Sequence, residues 1–343
     1  MRRLFFCCVT SIALYLIGFA FVLHRPLSVG LIQLEMQQKL ARGGRLPSPK
    51  IVILAGSNAP YSHSCRVIGA MLHLPCENAG IAVGFSLDDL FARWAPLLHR
   101  GDIVYLPMEI QQYDITRAQN DMSVDSTMLF RDNRGLLWRL GPGRALASAF
   151  SNSFADGLEA VVEMLAHSTG YGHRRARLAA QFDRQGDRIG TSLLTADPKF
   201  LALLHRPEPS STAIRDGYDR RVIARFVRAE HAAGVLMIGG LPTDFDTVPL
   251  SSADIAAVTA TYTRNGGLFL ITPNHSRYPR ADFYNSEDHL AQPCQYLQSI
   301  TVARGLARLT HHSVSAPTAS MEKLAQTCPS GGTVIALDKG TAR

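Results

Sequence analysis

Hydrophobic and polar positions alternate along this chain in a small number of recognisable patterns. From Leu4 to Leu23 no residue is charged. Twenty helical residues at about 1.5 Å each cover the roughly 30 Å hydrocarbon core of a bilayer, so this run predicts one transmembrane helix within residues 1–23. A cleaved signal peptide is the competing reading, but the apolar run is long for one and FVLHRPLSVG holds no clear small-x-small cleavage site. Residues 24–49 carry Pro26, Gly43, Gly44, Pro47 and Pro49 with a short helical patch near Leu31 to Leu40, and are expected to form a linker.

Beyond the linker the period changes. KIVILAGSN, Lys50 to Asn58, is an Ile/Val run closed by Gly, which predicts a buried strand. Ser64 to Leu74 then has apolar residues at helical spacing. A small-residue loop, a helix from about Ser86 to Leu98 and a second buried strand in GDIVYLPME follow. The rhythm lapses over 113–154, which is expected to be an insertion, and Arg174 to Arg188 is basic and poorly periodic. It returns with a helix over Asp219 to His231, a strand in GVLMIGG, a helix from Ser251 to Arg264 and a strand in NGGLFLITPN. Alternating strands and helices predict an α/β domain with a doubly wound parallel sheet over 50–314, leaving 315–343 as a C-terminal tail.

Composition changes this picture in two ways. With 343 residues, 46% hydrophobic and 18% charged, the chain can bury a large core. Its net charge of +7 is scattered, without aromatic-interleaved basic clusters, so no nucleic acid partner is expected. Cys65, Cys76, Cys294 and Cys328 form an even set outside the apolar N-terminus, which suits an oxidising compartment, and their spacing fits no zinc pattern. A bond between Cys65 and Cys76 would pin the helix between them if their Cα atoms come within about 7 Å. Arg2 and Arg3 before the apolar run favour an inner-membrane, single-pass topology with a periplasmic domain.

Candidate chemistry starts at Ser57. In an open parallel sheet, the turn after a strand lies at the carboxyl edge where ligands bind. Gly56 leaves room beside the Ser57 hydroxyl, and a following helix N-terminus offers N–H groups to an oxyanion. The plainer alternative is that Ser57 only caps a helix. A serine near neutral pH attacks an ester only if a base takes its proton. Among the twelve histidines, His289 lies just beyond the last predicted strand, His275 nearer to it, and His63 six residues after Ser57.

Taken with Asn78-Ala79-Gly80, Gly84 and the late Asp288-His289, this arrangement resembles the SGNH (GDSL-like) hydrolase superfamily over about residues 50–310. It looks most like membrane-anchored members of bacterial envelope and exopolysaccharide biosynthesis. The resemblance implies a three-layer α/β/α, flavodoxin-like domain. It implies Ser57 as nucleophile, His289 as base, and Gly80, Gly84 and Asn58 around the oxyanion. His63, Asn78, Glu109, Gln112 and Tyr113 would face substrate, and Asp282, Asn285 and Asp288 are the open choices for the partner of His289. Three departures stand out: Ala55-Gly56-Ser57 stands in place of the usual Gly-Asp-Ser, LPMEIQQY replaces the third-block Gly-x-Asn-Asp, and Ser286 occupies the usual acidic position three residues before the His. The implied activity is an esterase or O-acyltransferase on a polysaccharide, served by an acyl donor or other membrane components. The alternative is a non-catalytic scaffold or glycan-binding subunit. No metal or organic cofactor is implied.

Overall fold

The computed structural model describes residues 1–23, 29–123, 125–151, 153–168, 181–204 and 211–331. They form two compact units, one of residues 1–35, 84–92 and 117–180, the other of residues 36–83, 93–116 and 181–343. Residues 174–180 of the basic segment and 332–343 of the tail lie outside the described residues.

The second unit is built on a parallel sheet of β1 (Ile51–Ile53), β2 (Cys76–Asn78), β3 (Ile103–Leu106), β4 (Leu236–Gly240) and β6 (Leu268–Leu270), in the order β2-β1-β3-β4-β6. Ile51 is in register with Cys76 on one side and Ile103 on the other. Every residue of β1 and β3 is buried, which is why both read as continuous apolar runs: a parallel strand covered on both faces has no solvent side to mark. β5 (Asp244–Phe245) and β7 (Arg277–Tyr278) form a separate parallel pair.

Around the sheet, α3 (Asn58–Ser62) and α4 (Cys65–Leu72) connect β1 to β2. The helix predicted from Ser64 to Leu74 is α4, which Ser64 caps through the Val67 N–H at 3.3 Å, while α3 is an added short helix in the stretch read as a turn. Val67, Ile68, Met71 and Leu72 face inward at the spacing read from sequence. Cys65 and Cys76 are disulfide-bonded with Cα atoms 5.2 Å apart, joining the start of α4 to β2. Of the later helices, α6 (Tyr218–Ala232) packs on β4, and α7 (Ser252–Thr263), with a Ser251–Asp254 capping box, packs on β4 and β6. α8 (Gln292–Thr310) packs on α3, α4 and β6. A second disulfide, Cys294–Cys328, ties the start of α8 to the segment after helix Ala319–Gln326.

The expected linker, 24–49, carries its helical patch within a longer helix. It contains α2 (Val29–Gly43), and from Met36 onward it belongs to the second unit. Met36 and Lys39 are buried, and a Cβ at Gly43 would lie 2.5 Å from the Trp94 ring.

In the first unit, α1 (Arg2–Leu23) is long and apolar enough to cross a membrane, and only 6% of its apolar window is buried. The region expected as an arrhythmic insertion, 113–154, is mostly a run of short helices, including Ser126–Asp132, Arg134–Leu140 and Pro142–Ala149. These enclose a small core of Leu129, Leu136, Leu137 and Ala145. Arg144 is buried beside them, donating to Ser86 Oγ at 2.9 Å with Asp125 Oδ2 at 3.5 Å. Helices of five to eight residues show too few turns for an apolar period to stand out. Helix α5 (Phe154–Ser168) completes the unit.

Candidate functional site

Strand order sets the place. The chain runs from β1 outward to β2, then returns to β3 on the other side of β1, so the carboxyl ends of β1 and β3 flank a switch point. In open α/β sheets that crevice is where ligands bind. Ser57 follows β1 there, and Glu109 follows β3.

Ser57 sits at the N-cap position of α3 with φ −68° and ψ −21°, but its side chain makes no capping bond. It is half-buried, while the rest of residues 51–60 are buried. The capping alternative therefore belongs to Ser64, not Ser57. Two glycines make the turn possible. A Cβ on Gly56 would meet the Glu109 carboxylate at 2.5 Å, and one on Gly80 would meet Ala59 Cβ at 2.4 Å and the Gly56 carbonyl at 2.6 Å. Among the described residues, the N–H groups of Ser57 and Gly80 have no hydrogen-bond partner. Gly84 falls in the other unit.

His289 reaches this turn by three attachments. Its ring stacks on Tyr61 with centroids 3.7 Å apart and planes 9° from parallel. Tyr61 is one helical turn beyond Ser57, its N–H bonded to the Ser57 carbonyl at 3.3 Å. The backbone on both sides of His289 is clasped by one hydroxyl, since Ser62 Oγ donates to the Asp288 carbonyl at 2.7 Å and accepts from the Leu290 N–H at 3.2 Å. Thr243 Oγ1 lies 2.8 Å from that hydroxyl and 2.6 Å from Asn58 Oδ1. His275, by contrast, is an exposed turn residue with φ 53°.

Of the three residues expected beside the imidazole, Asn285 has its Oδ1 2.8 Å from His289 Nδ1. The Asp282 carboxylate instead accepts the Ser330 hydroxyl, and burial pushes it up to about 6. Asp282 stands close to Cys294 and Cys328, but those sulfurs are bonded to each other, so this cluster is not a metal site. Asp288 is buried and contributes its carbonyl to the Ser62 clasp.

Several expected contacts turn inward. Asn58 was expected at the oxyanion, but its N–H donates to Glu109 Oε1 at 2.9 Å, its Nδ2 to the Pro107 carbonyl at 2.8 Å, and its Oδ1 accepts from Thr243. Glu109 also accepts the Gly56 N–H at 2.9 Å, so it braces the turn from below. Gln112 accepts the Glu109 N–H through Oε1 at 3.1 Å, and Tyr113 shares a hydrogen bond with Tyr262 at 2.7 Å; both are buried. His63 is buried edge-on against Tyr105, with ring centroids 5.5 Å apart, and burial lowers its pKa to about 4. Neither ring nitrogen of His63 finds a hydrogen-bond partner among the described residues.

Asn78 is a brace too. Its Nδ2 donates to the carbonyls of Ala59 and His63 and to Asp187 Oδ1, at 3.0, 2.9 and 3.0 Å. Asp187 in turn accepts the N–H groups of Cys65 and Arg66 at 2.8 and 3.0 Å, and burial, with Asp183 nearby, raises its pKa. Beside it, Arg188 lies 5.3 Å from the Tyr61 ring centre and its N–H donates to the Pro60 carbonyl at 2.8 Å. Sequence reasoning missed Tyr61, Ser62, Asp187, Arg188 and Thr243. Only Tyr61 and Ser62 lay close enough to Ser57, at four and five residues, to be found by helical spacing.

A hydroxyl, an imidazole held by an amide and unpartnered N–H groups at one sheet edge suit acyl transfer. No family model, curated protein or solved structure matches this chain.

Proposed function

We propose that this protein is a serine-dependent esterase or O-acyltransferase of the SGNH type, acting on an envelope or secreted polysaccharide. The observation that carries the reading is His289, stacked on Tyr61 one turn beyond Ser57 with its Nδ1 held by Asn285. The sheet order supports it, because β2-β1-β3-β4 followed by one more parallel strand is that of flavodoxin-like three-layer domains. In the proposed reaction His289 takes the Ser57 proton as Oγ attacks the acyl carbonyl. The oxyanion is met by the N–H groups of Ser57 and Gly80. Collapse expels the alcohol, which takes the proton back from His289, and leaves an acyl-enzyme on Ser57. Water or a sugar hydroxyl then repeats the sequence to release the acyl group. The unit carrying Ser57 would face the periplasm, anchored in the inner membrane through residues 4–23 and drawing on an acyl donor or other membrane components of a polysaccharide assembly. Its two disulfides are what an oxidising compartment permits.

The test is labelling of the purified chain with a serine-directed fluorophosphonate, alongside acetyl-ester turnover. Label on Ser57, lost in Ser57→Ala, is expected. Wild-type turnover in a folded Ser57→Ala protein overturns the acyl-enzyme.

One observation favours a second reading, a non-catalytic glycan-binding or scaffold subunit. Glu109 occupies the N–H groups of Gly56 and Asn58, and the Asn58 amide is fully engaged, so these groups serve the turn instead of an oxyanion. Polysaccharide binding with no Ser57 labelling would select that reading.

A further inference from the structure

Within the first unit, α5 packs against α1. Its sequence places Phe154, Leu158, Val161, Val162 and Leu165 at helical spacing, and all five are exposed, Phe154 by 90% and Leu165 by 63%. One exposed apolar residue on a helix is ordinary; five at helical spacing form an apolar surface. The surface is continuous with that of α1. Tyr15, Gly18 and Phe19 of α1 and Phe154, Leu158 and Val161 of α5 line a shared groove of about 460 Å³. Tyr15 also stacks on Phe150, just ahead of α5, with centroids 5.1 Å apart.

What covers this surface follows from α1. If α1 crosses a bilayer, as its 20-residue apolar window permits, α5 meets it at Tyr15, Gly18 and Phe19, near one end of that window and so near one face of the bilayer. Helix α5 cannot itself cross. Fifteen residues reach only about 22 Å, and the segment includes Asp156, Glu159 and Glu163. A short helix combining exposed apolar residues with acids along its sequence suits the boundary between acyl chains and headgroups. We propose that α5 is an interfacial membrane helix, seated through Phe154, Leu158, Val161, Val162 and Leu165 in the same bilayer that α1 spans. This rests on reading α1 as a membrane span.

Spin labels test it in the full chain, with Cys7→Ser and Cys8→Ser removing the free thiols. Single labels go on Leu158→Cys and Val162→Cys in α5, on Leu14→Cys in α1, and on Ala253→Cys, an exposed site of α7. The protein is reconstituted in phosphatidylcholine and phosphatidylglycerol vesicles, and collisions with oxygen and with a water-soluble nickel chelate are compared. At Leu158 and Val162, oxygen should outweigh nickel several-fold, as at Leu14, while Ala253 shows the reverse. Nickel access at Leu158 and Val162, with Leu14 still in lipid, overturns the seating of α5 alone. Nickel access at Leu14 as well overturns the membrane-span reading beneath it. Little collision with either reagent at the α5 sites means a protein surface covers them, which also overturns the proposal.

Discussion

At the scale of single residues, the proposed chemistry depends on groups that act as a unit. Removing either Ser57 or His289 should cost most of the chemical rate, and removing both little more, because each is useless without the other. Asn285→Ala should lower turnover less than either, since an amide only fixes the imidazole's orientation, and Asp282→Asn should leave it near wild type. Acetyl-ester kinetics on the five variants decide this; equal losses at Asp282 and Asn285 would sink the assignment of the partner. Gly80→Ala tests the turn itself. Its Cβ would press on Ala59 and on the Gly56 carbonyl, and overpacking of this kind costs about 1–3 kcal/mol, read as a lowered denaturant midpoint. His63 supplies a pH prediction. Its pKa falls from 6.5 to about 4 on folding, so its contribution is present above the unfolded value and is lost as pH falls through the window between the two. At about 1.4 kcal/mol per pH unit the loss approaches roughly 3 kcal/mol. Asp282, raised to about 6, acts in the opposite sense, its contribution fading as pH rises towards that value. His63→Leu should therefore flatten the acid-side fall in urea midpoint between pH 6.5 and 4; an unchanged slope refutes the origin assigned to it.

At the scale of elements, α4 shows how a site is held by chain far away in sequence. Asp187 lies 122 residues beyond Cys65, yet it receives the Cys65 and Arg66 N–H groups and the Asn78 amide. Asp187→Ala leaves these donors unpaired in a buried place, and a loss of at least about 2 kcal/mol is expected in denaturant unfolding. A change within 0.5 kcal/mol would mean that water replaces the carboxylate. This distance also explains what the sequence could and could not tell. β1, β3, β4 and the turn at Ser57 were legible because a short all-apolar run bounded by Gly, after β1 and β4 and before β3, is a local signal. His289 was legible through its position after the last strand. Glu109, Asn78 and Gln112 read from sequence as residues facing substrate, whereas their side chains bond within the protein; a carboxylate bracing backbone N–H groups has the same local sequence as one facing a ligand. Thr243 and Asp187 had no local signal at all, since what makes them matter is a contact across the fold.

For the whole molecule, the cysteines and the apolar N-terminus make one joint prediction. All four cysteines of the second unit are paired, Cys65 with Cys76 and Cys294 with Cys328, while Cys7 and Cys8 on α1 are free. Structural disulfides are characteristic of oxidising compartments, so the proposed topology, with α1 spanning the membrane, expects the sheet on the oxidising side. Alkylation of the denatured, unreduced full chain should therefore tag Cys7 and Cys8 alone, and reduction should expose all six. The bonds also constrain stability. Cys65–Cys76 closes 11 residues and Cys294–Cys328 closes 34, so chain entropy alone assigns the second bond the larger effect, about 3–4 kcal/mol against somewhat less for the first. Cys328→Ser should accordingly lower the unfolding midpoint more than Cys76→Ser, each compared with the partner thiol also replaced. A reporter active only in the periplasm, fused after Arg343, supplies the orientation. If it is silent while a cytoplasm-only reporter is active at the same junction, and the four thiols prove reactive in cells, then the domain faces the reducing side and the proposed encounter with an envelope polysaccharide is lost with it.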